Sequence, residues 1–315
     1  MASITSLNLG QIKLLLNNYP IDELTFLKPL KGGLANSSFY LKTVKSEYIL
    51  TICEEKTIEE VEVFTSVWNF LHSNNFHCPR IIPDNDGRLS GCFAERAFFL
   101  KQFLPGQVKS NFTPKMLSSL GGHLASLHEF SVPAILPFKS PIPLTIDCSY
   151  FSKRILKNED LLWHRTHLEK FQNQPHQDFP KAIVHADLFW DNVLFDGDEL
   201  IAILDFEDVC HFYRLFDLGM SIVGTCANSG NIAFAKASCL VKAYTKIIGL
   251  SDNEKKYLKY FTEMAGFMTS LWRFLNQFRT PANPIPDHRT HKEMMFFCNK
   301  LNALSDTYFY ELIFC

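Results

Sequence analysis

A carboxylate, an amide and a second carboxylate stand in one stretch of this 315-residue chain: Asp187, Asn192 and Asp205. Ile183-Val184 runs directly into His185-Ala186-Asp187-Leu188-Phe189-Trp190-Asp191-Asn192. Val193-Leu194-Phe195 and Leu200-Ile201-Ala202-Ile203-Leu204 flank the turn sequence Asp196-Gly197-Asp198-Glu199, so a hairpin is expected, ending at Asp205-Phe206-Glu207. Such a set suits phosphoryl transfer, which asks little covalent chemistry of a protein but demands alignment and charge neutralisation. A carboxylate at Asp187 can accept or orient a hydroxyl proton. The amide of Asn192 and the carboxylate of Asp205, at the ends of adjacent strands, offer the hard oxygens that magnesium takes. That ion keeps much of its water, so two protein ligands are enough. The order matches the kinase pattern H-x-D-x-x-x-x-N followed by D-F-G, with Glu207 in place of the glycine. His185 is expected to brace the loop through hydrogen bonds. Either aspartate alone reads equally well as a turn or cap residue; the four residues in this order point to chemistry.

The elements that must hold these residues divide the chain in two. The first hundred residues read as strands with one helix. Leu24 to Leu30 is apolar and β-compatible, and small polar residues follow from Lys31 to Ser38. Phe39 to Val44 and Glu47 to Cys53 then read as two strands joined at Lys45-Ser46. From Thr57 to Ser73 the period changes: Val61, Phe64, Trp68 and Leu71 mark a helical face, with Thr57 and Glu60 as its capping box. Ala97 to Leu104 reads as a buried strand stopped by Pro105-Gly106, and the boundary is placed there, giving residues 1–104 and 105–315. Beyond it Leu117, Leu120, Leu124 and Leu127 form a helical stripe opening at Thr113-Pro114. Residues 131–147 are proline-rich and expected to be extended, and further helical faces run over Cys239 to Ile248 and Tyr257 to Phe278. The predicted class is α+β, a small β-rich part followed by a larger helical one.

Composition narrows the function by exclusion. A net charge of −2 lacks the basic surface that general nucleic-acid or membrane binding requires. Nine cysteines, with no CxxC pair, make neither a disulfide framework nor a zinc site. The start, Met1-Ala2-Ser3-Ile4-Thr5, has no basic-then-apolar signal pattern. No apolar run approaches the length of a membrane span. A cytoplasmic protein is expected, with a monomer as the default. The 29 phenylalanines read as core filling.

With these residues in view the chain resembles the aminoglycoside phosphotransferase and choline kinase superfamily, and within it the phosphotransferase-like homoserine kinases. The likeness covers nearly the whole chain. Gly33-Leu34-Ala35-Asn36-Ser37-Ser38-Phe39-Tyr40 is similar to a nucleotide loop, G-x-x-N-[TS]-N-[YF], and Tyr48-Ile49-Leu50-Thr51-Ile52-Cys53-Glu54 to the strand Y-V-L-T-x-x-E. Phe103-Leu104-Pro105-Gly106 resembles F-L-P-G, and Gly122-His123-Leu124-Ala125-Ser126-Leu127-His128 the helix G-x-x-L-A-x-L-H. Residues 185–195 fit H-A-D-L-F-x-D-N-V-L-F. The resemblance implies a protein-kinase-like two-lobed fold, ATP and magnesium, Asp187 as catalytic base, and Asn192 and Asp205 as metal ligands. It also implies Gly33, Asn36 and Ser37 near the phosphates, and Gln102, Phe103 and Leu104 as the hinge facing adenine.

Two positions depart from wider relatives. Thr51 stands where many carry a phosphate-pairing lysine; the resemblance implies that the homoserine kinase group also has threonine there, and Lys42, Lys56 or metal alone must meet that charge. Glu207 replaces glycine, and no room remains for an activation loop before Asp217-Leu218, which favours a small substrate. For homoserine, Leu271-Trp272-Arg273-Phe274 resembles the family's L-R-F helix and makes Arg273 the candidate for the carboxylate. Asp208 and His211 are candidate neighbours of the amine or hydroxyl. Another small alcohol (choline, ethanolamine, a sugar derivative or an aminoglycoside) stays open as acceptor, as does a non-catalytic nucleotide-binding regulator. Few carboxylates follow Asp217, which weighs against polycationic aminoglycosides.

Overall fold

The computed structural model describes residues 5, 7–30, 36–143, 145–146, 159–172, 178–279 and 290–315. The chain forms two compact units: Met1–Gln107 with Ile201–Glu207, and Val108–Leu200 with Asp208–Cys315.

In the first unit an antiparallel sheet carries α1 (Leu9–Leu16), β1 (Leu24–Pro29), β2 (Asn36–Thr43), β3 (Glu47–Cys53), α2 (Ile58–Ser73), β4 (Ile81–Ile82), β5 (Gly91–Phe93) and β6 (Arg96–Gln102). The strand order is β1-β2-β3-β6-β4, with β5 also on β6. Period-two alternation along β6 fills both faces. Phe98 and Leu100 join Ile12, Leu15 and Leu16 of α1, whereas Phe99 meets Phe64 at 5.4 Å and Trp68 at 5.9 Å from α2. Helix α2 begins at the expected capping box, Thr57 with Glu60, and buries Val61, Phe64, Trp68 and Leu71. Each such large side chain contributes about 1.5–3 kcal/mol on leaving water. Helix α1 is a second helix where one was expected. It is short, but Asn8 and Gln11 close a capping box, and Ile12, Leu15 and Leu16 supply one buried face.

The segment Ile201–Glu207 clusters with this unit. The Ile203 amide donates to the His77 carbonyl at 2.8 Å, and Phe206 lies 5.6 Å from Trp68 and 5.9 Å from Phe76.

The strand β7 (Gln107–Val108) marks the break between the units. The second unit is mainly helical: α3 (Pro114–Glu129), α4 (Glu159–Gln172), β8 (Lys181–Val184), β9 (Val193–Asp196), β10 (Glu199–Ile203), β11 (Cys210–Tyr213), α5 (Arg214–Cys226), β12 (Ala227–Asn228), β13 (Asn231–Ile232), α6 (Phe234–Thr245), α7 (Asp252–Arg279), α8 (His291–Ala303) and α9 (Asp306–Phe314). The last residues of β10 belong to the first unit. Thr113 caps α3 as expected, accepting from the Met116 amide at 3.3 Å, with Pro114 in the first turn. Strand β8 pairs antiparallel with β11, Val184 opposite Cys210 and Ile183 opposite His211. Helix α5 has no polar face for periodicity to mark, because every residue from Leu215 to Cys226 is buried. The architecture is the expected α+β, with an antiparallel sheet in one unit and a mainly helical second unit. No helix among the described residues is long and apolar enough to cross a membrane.

Candidate active site

Strand β8 delivers His185-Ala186-Asp187 from a buried run, and the chain turns sharply at Ala186, whose φ is 68°. That left-handed conformation is costly for a residue with a Cβ, so its surroundings must hold it. The Asp187 amide donates to His185 Nδ1 at 3.2 Å, the bracing role expected of that histidine. Asn192 Nδ2 donates to the Asp187 carbonyl at 2.8 Å and to Asp187 Oδ2 at 3.2 Å. The amide therefore steadies the carboxylate through its N–H groups, and neither of these bonds uses its own Oδ1. Hard oxygens from an amide and a carboxylate fit a small divalent cation.

What holds the strained turn is Asp217, on α5. Its carboxylate is fully buried and accepts from the backbone N–H of His185 at 2.7 Å and of Ala186 at 2.9 Å. His128, the last histidine of the α3 motif, lies with Nε2 3.2 Å from Asp217 Oδ2 and Nδ1 2.8 Å from the Tyr244 hydroxyl. Burial raises the Tyr244 pKa well above the usual phenol range. A carboxylate only accepts, so the Nε2–H of His128 faces Asp217, while the Tyr244 hydroxyl is the partner of Nδ1. Burial pushes the Asp217 pKa upward. The His128 hydrogen bond, the electrostatic influence of the His128 and His185 rings and the His185 amide more than offset that, so the carboxyl sits below the ordinary aspartate range. The sequence reading used Asp217 only as a landmark and gave His128 no role.

Helix α5 also reaches the loop at Gly224. A Cβ there would lie 2.3 Å from the Leu188 carbonyl oxygen and 2.7 Å from Phe189 Cα. Both are backbone atoms, so Gly224→Ala must displace the loop that carries Asp187. We expect a loss of about 1–3 kcal/mol in urea unfolding and a fall in turnover to match.

In the first unit, Asn36 opens β2 and pairs with Cys53 on β3. Its Nδ2 donates to the Glu207 carboxylate, and its Oδ1 accepts from the Glu54 amide at 3.3 Å. The Ser37 hydroxyl is buried and donates to the Glu54 carboxylate, which also faces Arg96 Nη1 at 2.6 Å and accepts from the Thr5 amide at 2.7 Å. Asp205, with φ 60°, lies two residues before Glu207. Gly33 lies outside the described residues.

A family model described as the phosphotransferase enzyme family matches residues 27–238. The chain belongs to this family. It is 28% identical over 294 residues to a protein named homoserine kinase from Agrobacterium fabrum (strain C58 / ATCC 33970), covering 90% of this chain and 91% of that one. A second protein of that name, from Gluconobacter oxydans (strain 621H), is 25% identical over 320 residues, covering 96% and 97%. Amicoumacin kinase hAmiN, solved with AMP-PNP, Ca2+ and Ami, shares the fold with a TM-score of 0.71 at 14% identity, covering 96% of this chain and 97% of that one. As a phosphotransferase with a protein-kinase-like α+β fold, the chain is a small-molecule kinase.

The remaining candidates of this phosphotransferase are placed as follows. Gln102 ends β6 opposite Tyr48, its amide donating to the Arg80 carbonyl at 2.8 Å. The Phe103 amide donates to the Glu47 carbonyl at 3.0 Å, its ring lies edge-on to Tyr40 at 5.2 Å, and Leu104 follows half-buried. Thr51 is buried on β3 with its hydroxyl 3.4 Å from that of Ser38, and Lys42 pairs with Glu47 at 3.2 Å. Arg273 on α7 is buried. It pairs with Glu293 at 2.8 Å, and its guanidinium lies 6.0 Å from the ring centre of Phe189, two residues beyond Asp187. Asp208 is exposed. His211 sits on β11 edge-on to Phe138 at 5.6 Å, and burial together with Lys181 holds its pKa below the usual imidazole range.

Proposed function

We propose that this small-molecule kinase transfers the γ-phosphoryl group of ATP to the side-chain hydroxyl of L-homoserine, giving O-phospho-L-homoserine and ADP. The observation that carries the reading is the clamp of Asn192 on Asp187, which aims one carboxylate while sparing an amide oxygen. Asp187 accepts the hydroxyl proton as the new O–P bond forms and the bridging oxygen leaves with ADP. Asn192 Oδ1 and Asp205 would hold magnesium, which when bound neutralises charge on the transferring phosphate. Asn36 and Ser37 shape the base of the nucleotide loop, and Gln102 to Leu104 form the strand end assigned to adenine.

For the acceptor, support comes from two relatives named homoserine kinase that match almost end to end. Arg273, beside Phe189, is the proposed partner of the substrate carboxylate; a planar guanidinium suits that group. The test is ADP release with homoserine, choline, ethanolamine, methylthioribose and kanamycin as acceptors. Homoserine is expected to give the highest kcat/KM. Turnover with another alcohol and none with homoserine would discard the acceptor and keep the kinase.

A further inference from the structure

We propose that Glu207 is a positioning residue that couples the divalent-cation site to the nucleotide loop through Asn36. The proposal rests on the assignment of Asp205 to the metal. Three segments of the first unit meet at the Asn36 side chain. Asn36 itself opens β2, its Oδ1 takes the Glu54 amide at the end of β3, and its Nδ2 donates to the Glu207 carboxylate. Between Asp205 and Glu207 stands only Phe206, fully buried and wedged against Trp68 and Phe76. A residue fixed in that way makes a stiff lever. A shift of the Asp205 backbone, already turned to φ 60°, must move Glu207 as well.

The other side of the lever is equally fixed. Asn36 is the first residue of β2, and its neighbour Ser37 is tied to Glu54, which Arg96 holds at 2.6 Å. Charge makes the link strong: a carboxylate accepting an amide N–H forms a charge-assisted bond, worth more than a neutral pair. A glycine at this position could not make it. Glu207 thus places Asn36 and Ser37, the described residues assigned to the phosphates, in register with Asp205, so that metal and nucleotide bind as one unit.

The test is calorimetric titration of the full chain with AMP-PNP at graded magnesium concentrations, for Glu207→Ala, Asn36→Ala, the double variant, Glu207→Gln and Asp205→Asn, each checked for an unchanged melting temperature. Glu207→Ala and Asn36→Ala should each weaken nucleotide binding and raise the magnesium midpoint, by about tenfold. The double variant should be no weaker than Asn36→Ala alone, because both substitutions remove the same Asn36–Glu207 contact and Asn36→Ala also releases the Glu54 amide. Glu207→Gln keeps an acceptor oxygen and should stay within about threefold of the parent. A magnesium midpoint unchanged in Glu207→Ala, or losses that multiply in the double variant, would overturn the coupling. Asp205→Asn reports separately: a magnesium dependence like the parent's would overturn the metal assignment itself.

Discussion

Asp187→Asn is expected to lower kcat by about 10²–10⁴-fold while leaving nucleotide affinity within error of the parent. The substitution isolates the proton-accepting role proposed for Asp187. An asparagine at this position still offers Oδ1 to the Asn192 amide and keeps the backbone N–H that donates to His185, so the loop geometry survives. What disappears is the negative charge and its basicity. Single-turnover ADP release and an AMP-PNP titration on the same preparation separate the two effects. Retained turnover would remove Asp187 from the role of base. A parallel loss of nucleotide binding would mean that the variant disturbs more than proton transfer.

The second large effect is expected at a residue that touches no reacting atom. Asp217→Ala leaves the backbone N–H groups of His185 and Ala186 and the Nε2–H of His128 without their common acceptor in a fully buried site. Removing one side of a buried charged network costs about 3–5 kcal/mol. The left-handed turn at Ala186 loses its restraint at the same time. Urea unfolding should show the loss, and turnover should fall because Asp187 is the next residue. Asp217→Asn should recover part of it, since one oxygen remains while its NH2 faces a donor. Wild-type stability in the second unit should also carry an acid dependence of definite sign. The folded carboxyl titrates below its unfolded value, so its contribution is complete above the unfolded pKa and is lost as the pH falls through the folded one. In Asp217→Asn that acid-range slope should flatten. An unchanged slope would assign the acid dependence to other groups.

Much of the site could be read along the chain because its signals are local. Asp187 and Asn192 stand five residues apart on one loop, and the contact between their side chains follows from that spacing. The capping box of α2, the Thr113-Pro114 start of α3 and the stripe through Leu117, Leu120, Leu124 and Leu127 are also local patterns, and they placed those helices. Helix α5 escaped for the opposite reason: burial on all sides erases periodicity. Helix α1 is too short for a stripe, and only its cap and three buried residues mark it.

The resemblance that names the family rests on short motifs, and it left their closing residues unexplained. His128 ends the α3 motif, and Glu54 ends the β3 motif. Their purposes appear only when Asp217, 89 residues from His128, and Arg96 come into contact with them. Glu207 was noticed as a departure from glycine, but its partner Asn36 lies 171 residues away. The sequence by itself determined the pairing of Asp187 with Asn192 and the elements that carry them, because side-chain spacing along a loop or helix is a one-dimensional property. Only the tertiary structure decided which groups hold those residues in place. A buried carboxylate and a buried amide choose their partners by desolvation, and desolvation depends on what the rest of the chain packs around them.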